Sequence, residues 1–184
     1  MDFSRYKDLV NKYYQKDCRE LNFQNRIVIP FIESLIPEQY DVVDSSTLYK
    51  NWKKINRVAF AGQYTPDVLV VDNWNLFDEN KQGPKIIIEV KSPTADDREH
   101  ANKEVEEYLE KSNCVILTDC ITWEFHENNG ENKCFHLDNE ILDVCKRDVP
   151  KDRVIHWKDD IIPDDWDSLC NKIKGIFKIN NSDL

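Results

Sequence analysis

The chain has 184 residues, 40% of them hydrophobic, with 25 basic and 35 acidic side chains for a net charge of −10. One domain of about 100–200 residues is the natural reading of such a length, and eight Phe, seven Tyr and five Trp supply the bulk for a core, which excludes a disordered chain and a second catalytic domain. The acidic excess opposes general adhesion to nucleic acid, and the four glycines (Gly62, Gly83, Gly130, Gly175) cannot build a Walker loop or a GxGxxG turn, so no nucleotide cofactor is expected.

In chain order, Phe3, Tyr6, Leu9, Val10, Tyr13 and Tyr14 form one stripe of a helix over 3–16. A second helix is predicted from Asp17 to Leu35, kinked or interrupted at Pro30 and ended by Pro37. A short strand follows at 40–48, then the segment YKNWKKINRV, whose charges are all basic: Lys50, Lys53, Lys54 and Arg57. Two runs rich in β-branched residues, 65–72 and 85–92, read as strands, and the Asn, Asp, Gly and Pro between them suit an extended turn joining an antiparallel pair.

From Thr94 to Lys111 the pattern is helical, with Ala101, Val105, Tyr108 and Leu109 on one face. Strands are predicted at 114–119 and 121–127, with a return strand at 133–137. The rest, 138–184, is acidic at first and ends in a helix with Trp166, Leu169, Ile173, Ile176 and Phe177 inward. Together these elements predict a single α/β domain over 1–184, a mixed central sheet flanked by helices, with its core at about 17–127 and a C-terminal extension at 138–184.

No apolar run approaches the roughly 18 residues of a membrane span, and the first residues lack a signal-peptide core, so a cytoplasmic protein is expected. Its six cysteines are then expected as reduced thiols. Cys134 and His136, with Cys114, Cys120 and His126, offer zinc ligands, but no CxxC knuckle exists. No nucleophile elbow accompanies the four histidines, so acyl-transfer hydrolysis is not expected.

The informative residues are Pro66-Asp67 on the first strong strand and Glu89-Val90-Lys91 at the end of the second. Alternation along a strand puts Glu89 and Lys91 on one face with the Val90 carbonyl between them. In a hairpin, Asp67 lies beside Glu89, and two carboxylates with a carbonyl make an all-oxygen site suited to Mg²⁺ or Mn²⁺. Lys91 would orient or help deprotonate a water, or offset charge on a phosphorane. A lone Pro-Asp is usually a turn and a lone Glu-x-Lys a solvated pair. Here, however, the Ile-Ile-Ile run before Glu89 predicts a buried strand, on which charge is costly.

This pattern resembles the PD-(D/E)xK nuclease superfamily, and its surroundings resemble the N-terminal nuclease domain of type I restriction-enzyme motor subunits. Glu20 stands before QNRIVIPFIESL, as a helix glutamate precedes an Arg-containing apolar helix and a Pro-apolar-apolar turn in that family. EVEEYL followed by CVILTDCITWEF resembles the family's Gln-xxx-Tyr helix and following strand pair, with Glu104 at the Gln position and Tyr108 four residues on. The resemblance implies a restriction-endonuclease-like fold and Mg²⁺-dependent (or Mn²⁺-dependent) cleavage of DNA in restriction, defence or repair. Asp67, Glu89 and Val90 would hold the metal, Lys91 and Glu20 would complete the catalytic set, and Glu104 and Tyr108 would be accessory.

Lys50, Lys53, Lys54 and Arg57 are the candidate DNA-binding patch; a solvated loop or edge strand is the plainer alternative. A homodimer or a separately encoded subunit is a possible partner. The competing reading is a catalytically weak or inactive nuclease-fold module that binds a protein or nucleic acid. It draws on the net charge, on Glu104 in place of Gln, and on ten acidic against five basic residues over 138–170.

Overall fold

The computed structural model describes residues 1–46, 64–75, 83–94, 97–128, 130–139, 144, 154–158 and 164–177. The N-terminal stripe winds into helix α1 (Phe3–Lys16), opened by Asp2, whose carboxylate accepts the Arg5 N–H at 2.8 Å. Phe3, Tyr6, Val10 and Tyr14 are buried, and Leu9 and Tyr13 half-buried.

The second predicted helix is three pieces: α2 (Glu20–Phe23), a π-helical segment (Gln24–Val28) and α3 (Ile29–Glu33). It starts at Glu20 rather than Asp17 because Asp17 closes α1, its N–H donating to the Tyr13 carbonyl at 2.9 Å. Pro30 explains the π turn. A proline has no N–H to continue the i→i−4 ladder, and its ring crowds the carbonyl four residues back. The wider turn, in which the Ile29 N–H reaches the Gln24 carbonyl, delivers the chain to Pro30 as the first turn of α3.

Strands β1 (Tyr40–Asp44), β2 (Val68–Asp72), β3 (Ile86–Val90), β4 (Cys114–Thr118), β5 (Thr122–Glu127) and β6 (Lys133–His136) form one mixed sheet in that order. β2 and β3 are antiparallel, with Val68 opposite Ile88. β3 and β4 are parallel, and helix α4 (Arg98–Leu109) makes the crossover that parallel neighbours require. β1 ends at Asp44, short of the predicted 48: Ser45 turns its hydroxyl to the Pro66 carbonyl at 2.7 Å, and residues 47 and 48 lie outside the described set. Helix α4 begins four residues later than predicted because Ser92, Pro93 and Thr94 make a turn, with the Ser92 hydroxyl accepting the Thr94 N–H.

The strand alternation sorts the core into two layers. Val68, Val70, Ile86, Ile88 and Ile116 pack under α1, the α2–α3 segment and α5 (Asp164–Ile176), whereas Leu69, Val71, Ile87, Val115 and Leu117 pack under α4. Trp166 of α5 sits about 5 Å, centroid to centroid, from Phe3, Tyr6 and Phe31. The α/β class with a mixed, helix-flanked sheet is therefore as predicted. Cys18, Cys114, Cys120, Cys134 and Cys170 are free thiols, as expected, and Cys145 lies outside the described residues. Among the described residues no helix is long and apolar enough to cross a membrane.

Candidate active site

Strand β3 is buried along its length, and its chemistry begins where the aliphatic run stops. Glu89 and Lys91 are 4% and 5% exposed, too enclosed to be a solvated surface pair. Both project to the α4 face, where Lys91 Nζ lies 2.8 Å from Glu89 Oε1 and 2.8 Å from Glu104 Oε2. Tyr108 donates its hydroxyl to Glu89 Oε2 at 3.3 Å. Glu104 and Tyr108 are one helical turn apart on α4, so the i, i+4 spacing itself brings both to β3.

Asp67 immediately precedes β2, and the Val68–Ile88 register carries it alongside Glu89. Its Oδ2 accepts the Val90 N–H at 2.9 Å. Glu20, the first residue of α2, reaches the end of β3 from the other side, Oε1 accepting the Ser92 N–H at 3.2 Å, with its side chain at the exposed rim. Asp67, Glu89, Val90, Lys91, Glu104 and Tyr108 are thus gathered at one end of the sheet, with Glu20 at the edge. Lys50, Lys53, Lys54 and Arg57 lie outside the described residues.

Three neighbours escaped the sequence reading. Asp97 Oδ2 stands 4.0 Å from Lys91 Nζ, and His100 Nε2 lies 3.3 Å from Glu104 Oε1. Gln24 is 2% exposed and donates to the Asp67 main-chain carbonyl at 3.1 Å and to Asp44 Oδ1 at 3.0 Å. The available signals were spacings: Gln24 four residues after Glu20, and His100 four before Glu104.

Burial, and then the neighbouring charges, shift these groups. Burial pushes Asp67 up to about 7, against the opposing pull of the Val90 N–H and the Lys91 ammonium. Burial also drives Glu89 well above the usual carboxylate range, and the Asp67 charge adds to that effect. For Lys91 burial favours the neutral amine, but Glu89 and Glu104 outweigh it and the net shift is upward, so Lys91 is an ammonium. On the same face of the sheet, Arg98 clasps Glu124 through two bonds of 2.5 and 2.7 Å, tying α4 to β5. Burial opposes ionisation of Glu124, yet His126 and Arg98 hold it down at about 2.

Among the described residues no group of three or more His, Cys, Asp and Glu side chains gathers around one point. Two carboxylates, Asp67 and Glu89, with the Val90 carbonyl are hard oxygen donors, and burial raises both carboxylates above their ordinary range. That set fits Mg²⁺ or Mn²⁺, ions that keep several waters and take one or two carboxylates from the protein.

No family model matches the chain, and no curated protein matches it significantly. Among solved structures, it is similar to one described as a "putative nuclease belonging to DUF820 from Anabaena variabilis", at 14% identity and a TM-score of 0.40, covering 91% of this chain and 81% of that one.

Proposed function

We propose that this chain is a metal-dependent phosphodiesterase that cleaves DNA, with a restriction-endonuclease-like core of the PD-(D/E)xK kind. The observation that carries this reading is the juxtaposition of Asp67 and Glu89 across the β2–β3 pair, with the buried Lys91 2.8 Å from the buried Glu89. It is supported by the likeness of Pro66-Asp67, Glu89-Val90-Lys91 and Glu20 to the nuclease pattern, and by a mixed sheet that places all of them at one end.

Asp67, Glu89 and the Val90 carbonyl would hold Mg²⁺ or Mn²⁺. Such an ion, when bound, lowers the pKa of its water and polarises a phosphoryl oxygen. The chain's own residues do the rest. Lys91, kept as an ammonium by Glu89 and Glu104, orients the attacking water and offsets charge that builds on the phosphorane. Tyr108 fixes one oxygen of Glu89, and the Val90 N–H fixes one oxygen of Asp67, so both carboxylates are preorganised. Glu20 closes the rim.

Within this reading the likeness to type I motor subunits points to a role in restriction or repair, the chain acting as a homodimer or beside a separate subunit. A second reading rests on Glu104: an extra buried carboxylate on Lys91 repels phosphate and favours a weak or inactive module that binds a partner. Incubation of purified protein with plasmid, linear duplex and single-stranded DNA, each with Mg²⁺, Mn²⁺ or EDTA, separates the two. Metal-dependent cleavage supports the enzyme; binding to DNA or protein without cleavage in any metal supports the module.

A further inference from the structure

We infer that Gln24 is a positioning residue for Asp67, and that together with Glu20 it makes the α2 segment a clamp between the two strands that carry the carboxylates. The inference rests on the reading of Asp67 and Glu89 as metal ligands.

A buried glutamine must find partners for its amide. Gln24 places its Nε2 between two acceptors, the Asp67 main-chain carbonyl at 3.1 Å and Asp44 Oδ1 at 3.0 Å. The same Asp67 carbonyl accepts the Ser45 N–H at 2.9 Å, while its carboxylate takes the Val90 N–H. Asp67 is therefore held from three sides: by β1 through Ser45, by β3 through Val90, and by the helical segment through Gln24.

One turn earlier, Glu20 binds the Ser92 N–H just past β3. A span of five residues thus touches the chain beside Asp67 and the chain beside Glu89 and Lys91. Gln24 is also the first residue of the π turn, and the carbonyl that closes that turn is its own. A π turn of this kind often marks a functional position. A glutamine that served only the core would have no reason to select the one carbonyl attached to a ligand carboxylate from a segment whose other end reaches the second strand.

The test uses Mn²⁺ titrated by calorimetry into the full chain, with thermal melts in parallel. Q24M keeps the volume and removes both donated bonds. Its Mn²⁺ affinity is expected to fall about 10–100-fold, the usual cost of losing a support behind a ligand. S112A is the control: it removes a buried hydroxyl bond to a main-chain carbonyl, that of Cys114 at 2.9 Å, at the end of β4 opposite the site, and its Mn²⁺ affinity is expected to stay within about twofold of wild type. Should Q24M not fold, Q24N, one methylene too short to span both acceptors, is expected to show the same selective loss.

Wild-type Mn²⁺ affinity in a folded Gln24 variant, or an equal loss in S112A, overturns the role of Gln24 alone. Absence of Mn²⁺ binding by the wild type overturns the metal site assigned to Asp67 and Glu89, and this inference with it.

Discussion

Asp67 Oδ2 accepts the main-chain N–H of Val90 at 2.9 Å. The bond ties the Asp67 carboxylate to β3 next to Glu89, opposite which the Val68–Ile88 register brings Asp67. Because the site is buried, the carboxylate so placed rises to about 7.

The first prediction is the pH dependence of the metal-free protein. A carboxylate raised from about 4 to about 7 in the folded state binds a proton that the unfolded chain releases, so its contribution to stability declines as pH rises across that window. Glu89 shifts in the same direction. In EDTA the melting midpoint should therefore be lower at pH 8 than at pH 5, by about 2–4 °C for each kcal/mol lost in a chain of this size. Asp67→Asn, which cannot ionise, should flatten the profile and melt above wild type at pH 8. A wild-type midpoint equal or higher at pH 8 would contradict the buried-carboxylate account.

Glu104 supplies the second prediction. It shares Lys91 with Glu89 and stands where the resembled pattern has Gln. Glu104→Gln removes one negative charge from the path of the phosphate while keeping a polar neighbour for Lys91. DNA affinity in low salt should tighten by about fivefold, the scale of one like-charge contact near water. Glu104→Ala instead leaves Lys91 short of a partner and should cost about 1–3 kcal/mol of stability. Filter binding and denaturant melts check both, and unchanged DNA affinity in Glu104→Gln would remove Glu104 from the substrate path.

The two strongest strands were legible because β2 opens on Val68–Val71 and β3 on Ile86–Ile88, both aliphatic and rich in β-branched residues, and pairing them as a hairpin put Asp67 beside Glu89. The site's helix was legible in part, since Glu104 and Tyr108 are spaced for one face. Gln24 was not. Its partner is a main-chain carbonyl 43 residues away, and main-chain atoms carry no sequence signature. The π turn was hidden for a related reason: Pro30 announces a disruption, but whether the helix kinks, stops or widens depends on the strands packed beneath it. Phe31 and Ile32, fully buried just past the proline, favour an unbroken path across the sheet.

A third prediction separates stability from chemistry. Tyr6 donates to the Cys120 carbonyl at 2.7 Å and accepts from Trp123 Nε1 at 3.0 Å, pinning α1 to the β4–β5 turn, where Cys120 has φ +67°. Tyr6→Phe leaves a buried carbonyl and a buried indole N–H without this partner and should cost about 1–3 kcal/mol. Its Mn²⁺ affinity should match wild type, because Tyr6 packs in the layer under α1, on the opposite face of the sheet from Glu89, Lys91 and the α4 side chains. Chemical denaturation with parallel calorimetry reads both quantities, and a selective loss of metal affinity would place α1 in the site.

The most direct measurement of the central claim compares Mn²⁺ binding and DNA cleavage in Asp67→Ala, Glu89→Ala and Lys91→Ala, each verified as folded. Asp67→Ala and Glu89→Ala each remove a ligand and should lose binding and cleavage together. Lys91→Ala should keep Mn²⁺ binding and lose cleavage by about 100-fold or more, the cost of one electrostatic group aimed at the transition state. Three folded variants that cleave DNA like the wild type would contradict the account.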